Sequence, residues 1–144
     1  TEGKIKAIQF ARENKVPFFG ICLGMQLAMV EFARNMAGMN SATSMEFDTE
    51  GDFVVHFMEG QSKNMSKGAS MRLGAYDCDL EKGTLAHQIY KEDKISERHR
   101  HRLEVNNAFV GKLTDAGMSI SGKNKKLDLV EVIELKDHPF FIAC

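Results

Sequence analysis

The groups in this chain best placed to do chemistry are three cysteines, five histidines and a short run of charged residues. One cysteine has a distinctive setting, in Gly20-Ile21-Cys22-Leu23-Gly24-Met25-Gln26. The apolar stretch 16–22 shows no alternation, as expected of a strand covered on both faces. After it, Leu27, Ala28, Met29, Val30, Phe32, Ala33 and Met36 spell out a mostly buried helix ending near Gly38. Cys22 therefore falls at a strand-to-helix junction. The first N–H groups of a helix lack internal partners and its dipole favours negative charge, so a thiolate there is stabilised as a nucleophile. The same N–H groups can receive the oxyanion of a tetrahedral intermediate. Flanking glycines suit such an elbow, which strains the nucleophile's backbone and needs close approach of neighbours. A free cysteine is also often plain core. The elbow turns the balance toward reactivity for Cys22, while Cys78 and Cys144, in strand-like runs without that setting, are assigned to structure.

His99 and His101 alternate and would share a strand face, but two histidines without further spaced ligands do not make a metal site, and none is expected. Taken by itself, the run Glu97-Arg98-His99-Arg100-His101-Arg102 reads as a solvated face or a basic patch for phosphate. Glu46 reads as a solvated loop acid. A net charge of −1 gives no general reason to expect nucleic acid or an anionic membrane as partner, so a small molecule or a protein is favoured. The cysteines show no CxxC pair and no regular spacing, which argues against a disulfide framework or a zinc site and fits a reducing cytoplasm. Thr1-Glu2-Gly3-Lys4 does not resemble a signal peptide, and no stretch has the length and apolarity of a membrane span.

Elements that would position these groups follow from periodicity. Residues 3–14 carry a helical stripe of Ile5, Ala7, Ile8, Phe10 and Ala11. Residues 38–52 read as a loop, 53–58 as a strand, 60–68 as a polar connection and 70–80 as a strand or hairpin arm. A short helix is expected over 84–90. Strands are expected over 118–122 and, with alternation, over 129–135, and the terminal run 140–144 looks like an interrupted strand. Helix, strand and helix in tight succession point to one α/β unit.

The stretch Pro17-Phe18-Phe19-Gly20-Ile21-Cys22-Leu23-Gly24-Met25-Gln26 resembles the nucleophile elbow of class I (triad-type) glutamine amidotransferases. Further stretches resemble the branch of that family fused to CTP synthases: Glu2-Gly3-Lys4, Glu46-Phe47, Met71-Arg72-Leu73-Gly74, the run 97–102 with Glu104-Val105-Asn106, and Asp137-His138-Pro139-Phe140-Phe141. The resemblance covers essentially the whole chain. It implies a three-layer α/β sandwich with a mostly parallel sheet and helices on both faces. It also implies that Cys22 attacks the carboxamide of L-glutamine, releasing ammonia and leaving a glutamyl thioester for water to hydrolyse. By the same resemblance Leu23, Gly24, Met25 and Gln26 line the glutamine site, and Glu46 and Arg102 contact the substrate. A carboxylate suits the α-ammonium of glutamine and a guanidinium suits its α-carboxylate. No cofactor is implied for this domain. The ammonia would pass to a synthetase domain of the same full-length chain, which uses ATP and Mg to aminate UTP, in an enzyme expected to be a homo-oligomer, a tetramer.

Residues 1–144 correspond to part of such a domain. The family's oxyanion glycine loop is expected before Thr1, and its Phe-His-Pro-Glu stretch, carrying the base and its orienting carboxylate, after Cys144, so the fragment alone is expected to be impaired. His138 matches an upstream His-Pro and is not assigned as the base. Leu103 stands where the family usually has an aromatic residue. Two other functions fit the same elbow: a related α/β cysteine hydrolase of γ-glutamyl substrates, and a non-catalytic regulatory domain on the same fold.

Overall fold

In the computed structural model, which describes residues 1–58 and 72–144, the first amphipathic stretch forms helix α1 (Glu2–Glu13) and buries Ile5, Ile8 and Ala11. Their three-residue spacing keeps them on one face. Strand β1 (Phe18–Gly20) and helix α2 (Leu23–Asn35) follow. As its nearly continuous apolar sequence requires, α2 is buried on all sides from Leu27 to Ala33. Glu31 lies inside that run without exposure, and is compensated there. The guanidinium of Arg12 donates to both of its carboxylate oxygens at 2.7–3.1 Å, and Asn35 Nδ2 donates at 2.9 Å.

The remaining elements are β2 (Ala42–Ser44), β3 (Asp52–Phe57), β4 (Arg72–Leu80), α3 (Leu85–Tyr90), β5 (Lys94–His101), β6 (Leu103–Val105), α4 (Asn107–Asp115), β7 (Met118–Asn124), β8 (Leu129–Leu135) and β9 (Phe141–Ala143). They build a six-stranded sheet, ordered β1-β9-β8-β7-β4-β5, and a three-stranded sheet, ordered β2-β3-β6. Residues of α1, α2 and α4 join the larger apolar core, while α3 closes a smaller one around Cys78, Leu80, Ile95, Val132 and Ile142. The α/β class with helices on both faces is as expected. The strand directions are a correction to the mostly parallel sheet: β1–β9 and β2–β3 pair parallel, and the other pairings among the described residues are antiparallel. Residues 125–128 and 136–140 join β7 to β8 and β8 to β9. Such links make hairpins, whereas a parallel crossover needs a dozen residues or more.

Other expectations also shift. The expected loop 38–52 holds β2, the charged run 97–102 lies on β5 and its corner with β6, and α4 has no counterpart among the elements expected from periodicity. Strand β8 is buried at all seven positions rather than half-buried. Its carboxylates have partners: Glu134 accepts the N–H groups of Leu85 and Ala86 at 2.8 and 3.1 Å, capping α3. Strand β1 is a sheet edge, and Phe19 and Ile21, which border a cavity, are exposed instead of covered on both faces. The expected connection 60–68 and the first two residues of the expected strand 70–80 lie outside the described residues.

Candidate active site

Cys22 caps the N-terminus of α2 with φ 53° and ψ −104° and is exposed. A non-glycine residue in such backbone space costs about 1–3 kcal/mol and persists only where its surroundings hold it. Here the Cys22 N–H donates to Cys144 O at 2.8 Å, Cys144 N–H to Gly20 O at 2.9 Å and Gln26 N–H to Cys22 O at 3.1 Å. The two flanking glycines have different reasons to be glycine. A Cβ on Gly20 would lie 2.9 Å from the carbonyl carbon of Gly24 and 3.0 Å from Ala143 and Phe18, so Gly20 lets α2 start directly against β1. A Cβ on Gly24 would meet nothing within 4 Å. Gly24 therefore faces open space. Its N–H is taken by Ile21 O at 2.9 Å, whereas the N–H groups of Leu23 and Met25 have no acceptor among the described residues. Those two amides are free to receive a developing oxyanion.

Cys22, Met25 and Gln26 line a cavity of about 480 Å³ between the start of α2, the ends of β5 and β6, and β8. Leu23 and Gly24 flank Cys22 in the chain but are not part of that wall. Glu46 and Arg102 lie elsewhere, on either side of the C-terminal end of β3. Glu46 is exposed just past β2, its N–H donating to Ser44 Oγ at 3.1 Å. Arg102, half-buried at the β5–β6 corner, holds its guanidinium 5.8 Å from the ring of Phe57. The structure thus gathers Cys22, Met25 and Gln26, and leaves the two expected substrate-charge contacts on the neighbouring small sheet. Leu103 is buried in the larger core and also borders the cavity.

The opposite wall carries His99, His101, Glu104 and Glu131, which belong to a buried charge cluster centred on Arg72. Arg72 donates to both oxygens of Glu131 at 2.6 and 2.8 Å and to His99 Nδ1 at 2.8 Å, and its Nε lies 3.1 Å from Glu104 Oε1. Its guanidinium also stacks 4.6 Å from the ring of Tyr76. Burial works against the charge of Arg72, but the hydrogen bonds of Glu131 and the charges of both carboxylates outweigh it and raise its pKa. For Glu104 the balance is reversed: burial, aided by the charge of Glu131, pushes its carboxyl up to about 8 against the pull of Arg72. Burial and the nearby Arg72 push His99 down to about 4, which agrees with its Nδ1 accepting from Arg72. Arg72 Nε, Glu104 Oε1 and His99 Nε2 lack an aligned hydrogen bond among the described residues. A signal is present in Leu129-Val130-Glu131-Val132-Ile133, where a carboxylate inside an apolar strand requires a buried partner.

His138 is structural, in keeping with its not being assigned as the base. Its Nε2 is 3.0 Å from Ala11 O and its Nδ1 accepts from Phe140 N–H at 3.1 Å, tying the turn before β9 to α1. Burial pushes the thiol of Cys78 up to about 12 and that of Cys144 upward as well.

The family profile described as glutamine amidotransferase class-I matches residues 1–144. A CTP synthase of Geobacter metallireducens is 57% identical over 145 residues, covering 100% of this chain and 27% of its own length. One of Pelobacter propionicus is 55% identical over 145 residues with the same coverage. The chain thus spans about a quarter of the curated relatives it matches. The solved glutaminase domain of Trypanosoma brucei CTPS, with bound acivicin, superposes with a TM-score of 0.90 at 40% identity, covering 99% of this chain and 56% of that one. No described helix is long and apolar enough to cross a membrane. With a family match across its full length and a strained cysteine at the head of α2, this chain belongs to the class I glutamine amidotransferases.

Proposed function

We propose that this chain is part of the glutaminase domain of a CTP synthase and that Cys22 is its nucleophile. The observation that carries the reading is the exposed Cys22, held in strained backbone at the N-terminus of α2 beside two amides without acceptors. The thiolate attacks the side-chain carbonyl carbon of glutamine, and the oxyanion forms against the N–H groups of Leu23 and Met25. Protonation of the amide nitrogen lets the tetrahedral intermediate collapse with loss of ammonia, leaving a γ-glutamyl thioester that water hydrolyses to glutamate and the free Cys22 thiol. Gly24 leaves room for the substrate, and Gln26 offers a side-chain amide in the cavity wall. Glu46 pairs with the α-ammonium of glutamine and Arg102 with its α-carboxylate. The loop after β2 and the β5–β6 corner flank the same end of β3, which supports their acting together.

In the full-length protein the ammonia passes to a synthetase domain that uses ATP and Mg to convert UTP to CTP, in a cytoplasmic homotetramer. This chain itself binds no cofactor for its step. The bound acivicin named for the trypanosomal domain and the CTP synthase relatives support this assignment. The test is ammonia release from glutamine by the full-length protein, with free ammonia as the alternative nitrogen source. Cys22→Ala should abolish glutamine-dependent CTP formation and leave ammonia-dependent formation intact. Ammonia release from glutamine at an undiminished rate in Cys22→Ala would remove the reading.

A further inference from the structure

The three cysteines are far apart in sequence, at 22, 78 and 144, yet all three border the cavity at the elbow. Two of them are also backbone neighbours. Strands β1 and β9 run parallel in the register Gly20↔Ala143, and the ladder continues through Cys144 N–H to Gly20 O at 2.9 Å and Cys22 N–H to Cys144 O at 2.8 Å. That register makes Ile21 the lateral partner of Cys144 and Cys22 its diagonal neighbour, joined to it by the second of these bonds. With strands about 4.8 Å apart and a rise of about 3.3 Å per residue, such diagonal neighbours lie roughly 6 Å apart at Cα, within the span of a disulfide, and both residues border the one cavity. Cys78 has no such relation to Cys22. Its sulfur packs against Gly122 and points toward the carbonyl of Asp79.

We propose that Cys22 and Cys144 form an oxidative modification site, in which Cys144 acts as the resolving thiol for the oxidised nucleophile. The oxidant is a hydroperoxide, hydrogen peroxide in the simplest case. The thiolate of Cys22 attacks one peroxide oxygen; the O–O bond breaks, Cys22 becomes a sulfenic acid, and the departing hydroxide takes up a proton to give water. The sulfur of Cys144 then attacks the sulfenic sulfur. The S–S bond forms, the S–O bond breaks, and the hydroxyl leaves with the proton of Cys144 as a second water. The two thiols lose two electrons in all and the peroxide gains them.

Exposure sets the order of events. Cys22 is exposed, whereas Cys144 is partly buried with its thiol raised by burial, so Cys22 meets the peroxide first. The disulfide would remove the nucleophile and protect its sulfur from irreversible sulfinic and sulfonic acids, and a dithiol would restore it. Only the activity readout rests on the proposed glutaminase function; the cross-link does not.

The experiment treats the full-length protein with a small excess of hydrogen peroxide, blocks free thiols, digests, and maps linked peptides by mass spectrometry. The expected product is a peptide pair joined through Cys22 and Cys144 that disappears with dithiothreitol, while glutaminase activity falls and returns with it. In Cys144→Ser and Cys144→Ala, Cys22 should advance to sulfinic and sulfonic acids, and activity recovered by dithiothreitol should drop at least about five-fold below that of the parent protein. Absence of the Cys22–Cys144 link in the parent protein overturns the proposal, as does a dominant link through Cys78 or equal recovery in the Cys144 variants. If the link forms but an electrophilic glutamine analogue fails to modify Cys22, the modification site stands and the glutaminase reading falls.

Discussion

Two buried arginine–carboxylate groups hold this domain together, and they are built differently. Between α1 and α2, Arg12 meets one carboxylate, Glu31, whose oxygens accept from Arg12 and Asn35. Across β4, β6 and β8, Arg72 meets two, Glu131 and Glu104, and the arrangement leaves Arg72 Nε and Glu104 Oε1 without aligned hydrogen bonds. The first group is balanced and lies away from the cavity lining. In the second, Glu104 and Glu131 line the cavity that also holds Cys22, and burial raises the extra carboxyl, Glu104, to about 8. Polar groups left partly unsatisfied thus concentrate on the side where a polar substrate is expected, while the pair between helices serves packing.

The largest effects separate the two groups by what remains after one partner is removed. Arg72→Met strands the Glu131 carboxylate beside the unpartnered carboxyl of Glu104 in a dry interior and should cost about 3–5 kcal/mol in denaturant unfolding. Arg12→Met strands one, and should cost less, on the order of 3 kcal/mol. The double replacements sharpen the difference. Arg12→Met with Glu31→Leu removes both charges and should recover to within about 1 kcal/mol of the parent domain. Arg72→Met with Glu131→Leu should remain clearly destabilised because Glu104 stays behind as a buried carboxyl whose Oε1 has no hydrogen bond among the described residues. Equal recovery in the two pairs would erase the contrast.

A smaller effect lies in pH. The carboxyl of Glu104 is raised in the folded domain, so between its ordinary value of 4.5 and about 8 the folded state holds a proton that the unfolded state has lost. Its contribution to stability is therefore complete below pH 4.5 and is lost as pH rises through about 8. His99 works the other way below pH 6.5, because its lowered pKa leaves the folded state with fewer protons than the unfolded chain. The window from pH 6.5 to 8 isolates Glu104. Stability should fall with rising pH there, and Glu104→Gln should flatten the curve, whereas the Arg12–Glu31 double replacement should leave its slope unchanged. Unfolding free energies measured across that window decide it.

The same contrast between filled and open space recurs at the elbow, with the smallest expected effect on stability. Gly20→Ala drives a methyl into the backbone of Gly24 and should cost about 1–3 kcal/mol. Gly24→Ala meets open space, so the fold should be unchanged or up to about 1 kcal/mol more stable. Its penalty should appear in a raised KM for glutamine, measured by steady-state ammonia release.

Local patterns in the sequence make much of this molecule legible. The stripe of α1, the unbroken apolar run of α2 and the junction that holds Cys22 each follow from short-range periodicity. Strand direction does not, because it depends on which distant segments pair: the apolar runs of β1 and β9 read alike, yet β9 lies parallel to β1 and antiparallel to β8. Helix α4 is harder to see because it is nine residues long with Gly111 inside it and buries only Leu113 fully, although Phe109, Val110 and Ala116 also pack against the core. The charge cluster is hidden because Arg72, Glu104 and Glu131 are separated by 32 and 27 residues and meet only when β4, β6 and β8 come together. Glu46 and Arg102 owe their assignment to resemblance rather than to spacing, and their position beside β3 comes only from the pairing of β2 and β6 with it.

The central claim is that Cys22, alone of the three cysteines, is the nucleophile. Its most direct test is to incubate the full-length protein with an electrophilic glutamine analogue and locate the adduct by peptide mapping. A single adduct on Cys22, suppressed by excess glutamine and lost in Cys22→Ala, is the predicted result. An adduct on Cys78 or Cys144, or labelling of Cys22 that glutamine does not suppress, would contradict it.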